Sequence, residues 1–359
     1  MAVAFFPLTV SSLESEGTDA VAITFSIPNW LQGEFRFDAG EHVTLRADLD
    51  GVDVRRSYSI AASPNSGKLR IGVKRVPEGV FSTFLTEDIT VGASLDVMPP
   101  VGEFTLVPEE GAGRNYGFFA AGSGITPIVS MVASALETDT SARCTLFYGN
   151  RTSADVMFLE SIEELKDRYM GRLQVVHVLS REASDLELFS GRITKKRAAE
   201  LCDAFLPIGA VDEWYLCGPL EMVRAACEML SDAGVADSQV HTELFFKGDE
   251  PLEAELETSE GLSEISFTLA GRTTVVQVDP QGAAILDRAL TVRTELPFAC
   301  KGGVCATCKA SVITGVVSMD RNYALTQDEV DSGFVLTCQA HPVSREVEIT
   351  YDVHGGLGR

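Results

Sequence analysis

The sequence predicts a multidomain chain: an antiparallel β-barrel, a doubly wound parallel α/β domain, and a C-terminal β-rich domain. Three observations carry this prediction. The 359 residues exceed the usual size of one domain. Short strand patterns with little helix give way to a stretch of alternating strands and helices. Four cysteines with a characteristic spacing follow near the C-terminus. We expect the three domains at residues 1–108, 114–246 and 262–354.

The first segment, 1–108, carries strand patterns separated by turn-forming residues. Strands are predicted at 20–27, 42–47 and 69–75, and the cluster 63–67 (Ser-Pro-Asn-Ser-Gly) is a typical turn. Many short strands with little helix are characteristic of an antiparallel barrel.

The middle segment alternates between the two kinds of element. Strands are predicted at 116–121, 144–148, 173–179, 214–217 and 240–245. Helices are predicted at 127–136, 158–168, 195–205 and 220–233. Such alternation predicts a parallel sheet whose ligand-binding loops lie at the carboxyl ends of the strands.

Residues 247–261 are rich in acidic side chains and predict a linker, because they show no apolar face that could be buried. The last segment then predicts further strands, a short helix near 284–290 and a second capped turn. Thr326 and Glu329 have the spacing of a capping box for that turn.

Four cysteines carry the most specific chemical signal. Cys300, Cys305, Cys308 and Cys338 follow the spacing C-x4-C-x2-C with a distant fourth residue, which is the plant-type [2Fe–2S] pattern. Glycines at 302 and 303 allow backbone N–H groups to turn towards the cluster. A structural zinc site is the alternative, but zinc sites favour paired C-x2-C knuckles, and this segment has one such pair.

The charge and composition of the chain limit the kinds of binding partner and the location that we expect. Lys and Arg number 29 against 52 Asp and Glu, a net charge of −23, which disfavours binding to nucleic acid or to an anionic membrane. No apolar run approaches the ~18 residues that span a bilayer, and Met1–Pro7 lacks the features of a signal peptide. Reduced thiols together with an iron–sulfur cluster fit the cytoplasm, where we expect the protein.

Two motifs in the first segment could bind an anionic, planar ligand. On a strand, Arg56 and Tyr58 share one face, where they could pair with a phosphate and pack on a ring, while Ser57 and Ser59 share the other face. Alone, this motif is more typical of an exposed polar strand than of a ligand site. The motif 79–85 begins a helix with hydroxyls in its first turn, which suits either an anion or an ordinary cap.

Two further motifs lie at strand ends of the middle segment. Gly122 and Gly124 permit close backbone approach, Thr126 adds a hydroxyl, and Pro127 suits the first position of a helix, although a tight turn would also explain the glycines. Cys217, followed by Gly218 and Pro219, places a polarisable side chain at a strand end or, alternatively, a plain core cysteine there.

In this order, the motifs Arg-x-Tyr-Ser, Gly-x-x-Ser-x-x-Leu, Gly-x-Gly-x-Thr-Pro and Cys-Gly-Pro resemble those of the ferredoxin–NADP⁺ reductase superfamily. With the C-terminal cysteines, the whole chain resembles reductases of oxygenases, and most of all the phenylacetyl-CoA epoxidase reductases. The segments 148–151, 177–180, 191–192 and 241–245 carry that last similarity. Residues 39–42 depart from the Pro-Gly-Gln of many relatives, so Glu41 and His42 receive no role.

The resemblance implies FAD, a nicotinamide nucleotide, a [2Fe–2S] cluster in a β-grasp ferredoxin domain, and an oxygenase component as partner. It implies that FAD is held by Arg56, Ser57, Tyr58, Ser59, Gly79, Val80, Phe81, Ser82 and Thr83, with Phe245 near the flavin. It implies that the nicotinamide nucleotide meets Gly122, Gly124, Thr126, Cys217, Gly218 and Pro219. Ser59, Cys217 and Glu243 are the residues expected around hydride transfer.

Ser180 and Arg181 follow a strand near the expected adenosine ribose. A hydroxyl and a guanidinium suit a 2′-phosphate, whereas an acidic residue would suit a free 2′-hydroxyl, so NADPH is expected over NADH. Two other functions stay open at this point. One is a reductase, using NADH, of another multicomponent oxygenase such as a steroid, ring or alkane hydroxylase. The other is a non-catalytic iron–sulfur redox sensor, which the complete flavin and nucleotide motifs disfavour.

Overall fold

A computed structural model describes residues 4–245 and 261–352. The chain divides into two compact units, Phe5–Phe245 and a C-terminal unit described from residue 261 onward. Apart from its last residue, Gly261, the predicted acidic linker lies outside the described residues.

The first unit begins with a six-stranded antiparallel sheet. Its strands are β1 (Phe6–Ser15), β2 (Ala20–Ser26), β3 (His42–Leu49), β4 (Val52–Ser59), β5 (Leu69–Lys74) and β6 (Ser94–Val97), in the order β4-β3-β6-β1-β2-β5. The two edge strands meet, because Ile60 bridges Ile71 and the Ala61 N–H donates to the Arg70 carbonyl at 2.7 Å. The sheet therefore closes on itself, as the predicted barrel requires.

A single-turn helix, α1 (Val80–Thr83), follows the barrel's fifth strand and continues into a π-helical turn, Phe84–Asp88. The barrel also packs against the next domain at one point where only glycine fits. A Cβ on Gly72 of β5 would lie 2.6 Å from the Thr126 side chain and 2.7 Å from the Phe158 ring. This close approach joins barrel and α/β sheet within one unit.

Five parallel strands form the second sheet of this unit. They are β7 (Asn115–Ala121), β8 (Arg143–Asn150), β9 (Leu173–Leu179), β10 (Glu213–Gly218) and β11 (Val240–Leu244), in the order β11-β10-β7-β8-β9. The helices are α2 (Ile125–Thr138), α3 (Leu159–Arg168), α4 (Lys195–Phe205) and α5 (Leu220–Asp232). Residues of α2 and α3 belong to one core and residues of α4 and α5 to another, so the sheet is doubly wound as predicted.

One detail of the prediction is wrong. Residues Gly122–Gly124 form a 3₁₀ turn that runs directly into α2, so the helix starts at Ile125 and Pro127 occupies its third position, not its first. Proline is still accommodated, since the N–H groups of the whole first turn have no partner within the helix.

The C-terminal unit has a five-stranded mixed sheet in the order β13-β12-β18-β14-β16. Its elements are β12 (Ser263–Leu269), β13 (Arg272–Val278), α6 (Ile285–Leu290), β14 (Lys309–Thr314), β15 (Val317–Met319), α7 (Gln327–Asp331), β16 (Phe334–Leu336), β17 (Ala340–Pro342) and β18 (Glu346–Thr350). Strand β18 runs parallel to β12 and antiparallel to β14. A hairpin, a helix and a returning parallel strand make this the expected β-grasp arrangement.

The predicted capping box of α7 is present. The Thr326 hydroxyl accepts from the Glu329 N–H at 3.3 Å, and the Thr326 N–H donates to the Glu329 carboxylate at 2.8 Å. Across 4–245 and 261–352, no helix combines the length and the apolar character needed to cross a membrane.

Candidate functional site

Ser59, Cys217 and Glu243 lie together although they are distant in sequence. Ser59 ends barrel strand β4, and its hydroxyl donates to the Glu243 carboxyl oxygen Oε2 at 3.1 Å. Glu243 and Cys217 are direct neighbours in the parallel pairing of β11 with β10. The end of a barrel strand thus meets the carboxyl ends of two parallel strands, which is where the sequence predicts ligand loops.

Burial sets the protonation state of both ionisable groups in this cluster. It raises the pKa of Glu243 to about 8, while the hydrogen bond from Ser59 acts in the lowering direction. Burial, with a smaller contribution from the charge of Glu243, raises the pKa of the Cys217 thiol well above its usual value. At neutral pH, Glu243 is therefore mainly a neutral carboxylic acid and Cys217 a thiol, which is not a nucleophile.

The strand that carries Arg56 and Tyr58 shows the two faces predicted for it. The Tyr58 ring stacks on Phe81 with centroids 6.4 Å apart and planes 21° from parallel. On the other face, the Ser57 hydroxyl lies 3.2 Å from that of Thr44. Arg56 is exposed, and its Nη1 donates to the Arg55 carbonyl at 2.7 Å.

In the turn at 79–83, the Ser82 hydroxyl is used for hydrogen bonds within the turn. Gly79 is the N-cap of α1. The Ser82 hydroxyl donates to the Gly79 carbonyl at 3.0 Å and accepts from the Val76 N–H at 3.1 Å. Ser82 is buried, whereas Val80 is exposed and Thr83 is partly so. Any anion bound here would therefore be held by other groups of the turn, with Ser82 fixing the turn's shape.

Backbone conformation and close packing explain why glycine occupies positions 122 and 124 of the 122–126 loop. Gly122 has φ 55°, in the left-handed region. A Cβ on Gly124 would lie 2.3 Å from the Cys217 carbonyl oxygen, so this loop touches the end of β10 directly. The Thr126 hydroxyl turns inward and donates to the Ser123 carbonyl at 3.0 Å.

Sequence reasoning assigned no support role to Tyr148, which lies behind this loop. Its buried hydroxyl donates to the Gly122 carbonyl at 3.1 Å and accepts from the Met157 N–H at 3.2 Å. Phe245 joins the same region, since its N–H lies 3.5 Å from the carbonyl oxygen of Gly218. Pro219 follows as the N-cap of α5.

The predicted ribose site contains a second cation. The Ser180 N–H donates to the Asn150 carbonyl at 2.9 Å, and the Arg181 N–H donates to the Arg151 carbonyl at 2.7 Å. Arg151 and Arg181 are both exposed, so two guanidinium groups extend from neighbouring chain segments. Arg151 ends the segment 148–151, which carries part of the family resemblance and for which the sequence predicts no role.

The cysteine loop, residues 300–308, contains several residues with left-handed backbone conformation. Lys301, Gly303 and Ala306 have φ values of 53°, 77° and 50°. The Gly302 N–H donates to the Cys300 sulfur at 3.3 Å. The hydrogen bond with the Cys305 thiol, together with backbone N–H groups of the loop, lowers the pKa of Cys300 against the effect of burial.

Two pairs of thiols result. Cys300 is hydrogen-bonded to Cys305, and Cys308 to Cys338. This fits a two-iron cluster, in which the four thiolates divide between the two metals. A single zinc ion would instead need its ligand side chains to converge on one point. Within the described ranges, no three His, Cys, Asp or Glu side chains are placed to hold one ion.

Three family models match the chain in succession. They are the oxidoreductase FAD-binding domain at 7–106, the oxidoreductase NAD-binding domain at 118–228 and the 2Fe-2S iron-sulfur cluster binding domain at 267–343. The chain is also 39% identical over 351 residues to one of the subunits of the 1,2-phenylacetyl-CoA epoxidase of Escherichia coli K12, covering 98% of this chain and 99% of that protein. The chain belongs to the family of reductase components of oxygenases.

A second relative and a solved structure support the same family and fold. The reductase is 30% identical to the ferredoxin reductase component of 3-ketosteroid-9-alpha-monooxygenase from Rhodococcus rhodochrous, covering 96% of each chain. The solved structure of phthalate dioxygenase reductase, described as a modular structure for electron transfer from pyridine nucleotides to [2Fe–2S], superposes with a TM-score of 0.59. It is 22% identical, covering 96% of this chain and 98% of that one, and so supports the fold.

These matches confirm the predicted fold class and cofactor set. The reductase is an oxidoreductase that uses FAD, a nicotinamide nucleotide and a [2Fe–2S] cluster. It transfers electrons from NAD(P)H to an oxygenase component. The three matched domains therefore favour an iron–sulfur cluster over a zinc site and a reductase over a non-catalytic sensor.

Proposed function

We propose that the reductase takes hydride from NADPH beside Ser59, Cys217 and Glu243 and serves the oxygenase of a phenylacetyl-CoA epoxidase in the cytoplasm. The observation that carries the proposed site is the 3.1 Å hydrogen bond from Ser59 to Glu243. It ties the flavin-binding barrel to the carboxyl edge of the nucleotide-binding sheet, so that both ligands could meet there. We further propose the domain bounds 1–108, 114–246 and 262–354.

FAD, when bound, accepts an electron pair as hydride and gives up electrons singly, which a one-electron cluster requires. The chain's own residues bind and orient it. Arg56 would pair with a phosphate, Tyr58 would pack on the ring system from its stack on Phe81, and Ser57 would support the strand. The residues of the α1 turn proposed to lie at the pyrophosphate are Gly79, Val80, Phe81, Ser82 and Thr83.

The transfer site would be neutral before reaction. A carboxylate at Glu243 would disfavour the negative charge that arrives with hydride, whereas the protonated acid favoured by burial would not. Ser59 holds that carboxyl in place. Cys217 would fill the wall beside the nicotinamide, and no covalent catalysis is proposed for it.

The nucleotide would lie along the carboxyl ends of β7, β8 and β10. Gly122 and Gly124 would let the loop approach the phosphates of the nucleotide. Thr126 stabilises that loop through its hydrogen bond to the Ser123 carbonyl. Gly218 and Pro219 would complete the nicotinamide end, and Phe245 would lie near the flavin. For the adenosine end, Ser180 and Arg181 support a 2′-phosphate, and the neighbouring Arg151 adds a second positive charge.

The proposed cluster ligands are Cys300, Cys305, Cys308 and Cys338. Their division into two pairs supports this assignment, as does the Gly302 N–H directed at the Cys300 sulfur. All four fall within the matched cluster-binding domain, 267–343.

The choice of oxygenase rests on similarity along the whole chain. At 39% identity, the relative from the epoxidase is nearer than the steroid monooxygenase component at 30%, which is the second candidate. The test is reconstitution with purified oxygenase subunits of each system. We expect phenylacetyl-CoA to be converted at the expense of NADPH with the oxygenase of the epoxidase system. Turnover of the steroid system alone would contradict the proposal.

A further inference from the structure

A buried threonine joins the two cysteines that come from different parts of the chain. Thr337 directly precedes Cys338 and is fully buried. Its hydroxyl donates to the Cys308 carbonyl at 3.0 Å, and its N–H donates to the same oxygen at 3.3 Å. Its own carbonyl accepts from the Leu286 N–H of α6 at 3.0 Å. Thr337 therefore fixes the segment of the loop cysteines against the segment of the distant one.

A tyrosine at the end of the sheet completes the chain of hydrogen bonds. The Tyr351 hydroxyl donates to the Thr337 hydroxyl at 2.9 Å, and the side chain is only 8% exposed. Its backbone N–H donates to the Thr268 carbonyl at 2.8 Å, so strand pairing holds the residue in place. Tyr351 thus donates to Thr337, and Thr337 donates to the carbonyl of Cys308, which is the final acceptor.

We propose that Tyr351, acting through Thr337, is a positioning residue that raises the reduction potential of the iron–sulfur cluster. The inference rests on the proposed assignment of Cys308 and Cys338 as cluster ligands. Both O–H bonds point along the chain towards Cys308, so their positive ends face the ligand segment. Positive dipole ends stabilise the form of the cluster that carries the additional electron.

Burial raises the pKa of the Tyr351 hydroxyl, so this group stays protonated and remains a hydrogen-bond donor to Thr337. A buried network with every member hydrogen-bonded also holds its dipoles in a fixed direction, which a solvated hydroxyl would not do.

The experiment is a redox titration of the whole reductase, purified anaerobically, followed by the EPR signal of the reduced cluster. Tyr351→Phe removes one hydroxyl with little change of shape. We expect the ratio of reduced to oxidised cluster at a fixed potential to fall about threefold, a midpoint lower by ~30 mV at 59 mV per tenfold change. Thr337→Val should give a shift in the same direction, and Thr337→Ser, which keeps the hydroxyl, should restore the original value.

A double variant tests the chain itself. Because Thr337→Val already breaks the path, adding Tyr351→Phe should lower the potential no further. Tyr116→Phe, the same chemical change on β7 of the other unit, is the matched control and should leave the potential unchanged. Iron content and thermal unfolding, measured on every variant, show that the cluster and fold are retained.

The outcomes separate the inference from the proposed cluster assignment. A normal cluster in Tyr351→Phe with an unchanged or raised potential would overturn the role of Tyr351. Fully additive shifts in the double variant would overturn the path through Thr337. Wild-type protein without iron would instead overturn the proposed ligands, independently of both.

Discussion

Replacing Ser59 with alanine should raise the pKa of Glu243 still further. The Ser59 hydroxyl donates to the Glu243 carboxyl at 3.1 Å and so favours its charged form, opposing the burial that raises the pKa to about 8. A hydrogen bond to a charged group contributes ~1.5–3 kcal/mol. One pKa unit corresponds to ~1.36 kcal/mol. Glu243 is partly exposed, so we take the lower end and expect a rise of about one unit.

The assay is infrared spectroscopy of the protonated carboxyl group as a function of pH. Glu243→Gln identifies the carbonyl band by its loss, and the band should disappear in wild type with a midpoint near pH 8. Ser57→Ala is the matched control, because its hydroxyl faces Thr44 and not Glu243. A midpoint in Ser59→Ala at or below that of wild type, or a wild-type midpoint near 4.5, would refute the reasoning.

The same shift has a consequence for stability. The pKa of Glu243 in the folded chain lies above its ordinary value of 4.5. Its contribution to stability is therefore fully present below pH 4.5 and is lost as the pH rises through about 8. The variant Glu243→Gln should lack this part of the pH dependence.

Three further predictions concern the nucleotide site. In Gly124→Ala, the new Cβ would lie 2.3 Å from the Cys217 carbonyl oxygen, so the KM for NADPH should rise at least ~10-fold and the free energy of unfolding should fall by ~1–3 kcal/mol. Gly209→Ala, whose Cβ would meet nothing within 4 Å, is the control and should change neither quantity. A KM for NADPH in Gly124→Ala equal to that of the wild type would contradict this prediction. Cys217→Ala should slow flavin reduction about tenfold in stopped-flow traces with iron content intact, and wild-type traces would remove Cys217 from the site. Arg181→Ala should lower kcat/KM about tenfold for NADPH but not for NADH, with exposed Arg168→Ala as control; equal losses with both nucleotides would reject a 2′-phosphate contact.

Elements with a strong hydrophobic period could be predicted from the sequence. Helix Lys195–Phe205 and strand Leu173–Leu179 have the bounds expected for them, because the helix repeats apolar residues at the helical period and the strand is a short, mostly apolar run. The start of α2 was predicted wrongly at Pro127, since a local pattern does not reveal that a 3₁₀ turn continues into the helix.

The contacts of the site are harder to predict. Ser59 and Glu243 are 184 residues apart, so no local pattern pairs them; only the resemblance to a family put both near one site. The steric need for Gly124 depends on the carbonyl of Cys217, and the position of Arg151 depends on the pairing beside Arg181. The path from Tyr351 to Cys308 likewise depends on where β18 ends relative to the cysteine loop.

The most direct test of the electron path compares wild type with Cys338→Ser, supplied with NADPH and either ferricyanide or cytochrome c. The expected wild type contains FAD and a [2Fe–2S] cluster and reduces both acceptors. Cys338→Ser should keep FAD and ferricyanide reduction but lose the cluster and the reduction of cytochrome c. Cytochrome c reduction at the wild-type rate by a variant without iron would contradict passage of electrons through the cluster.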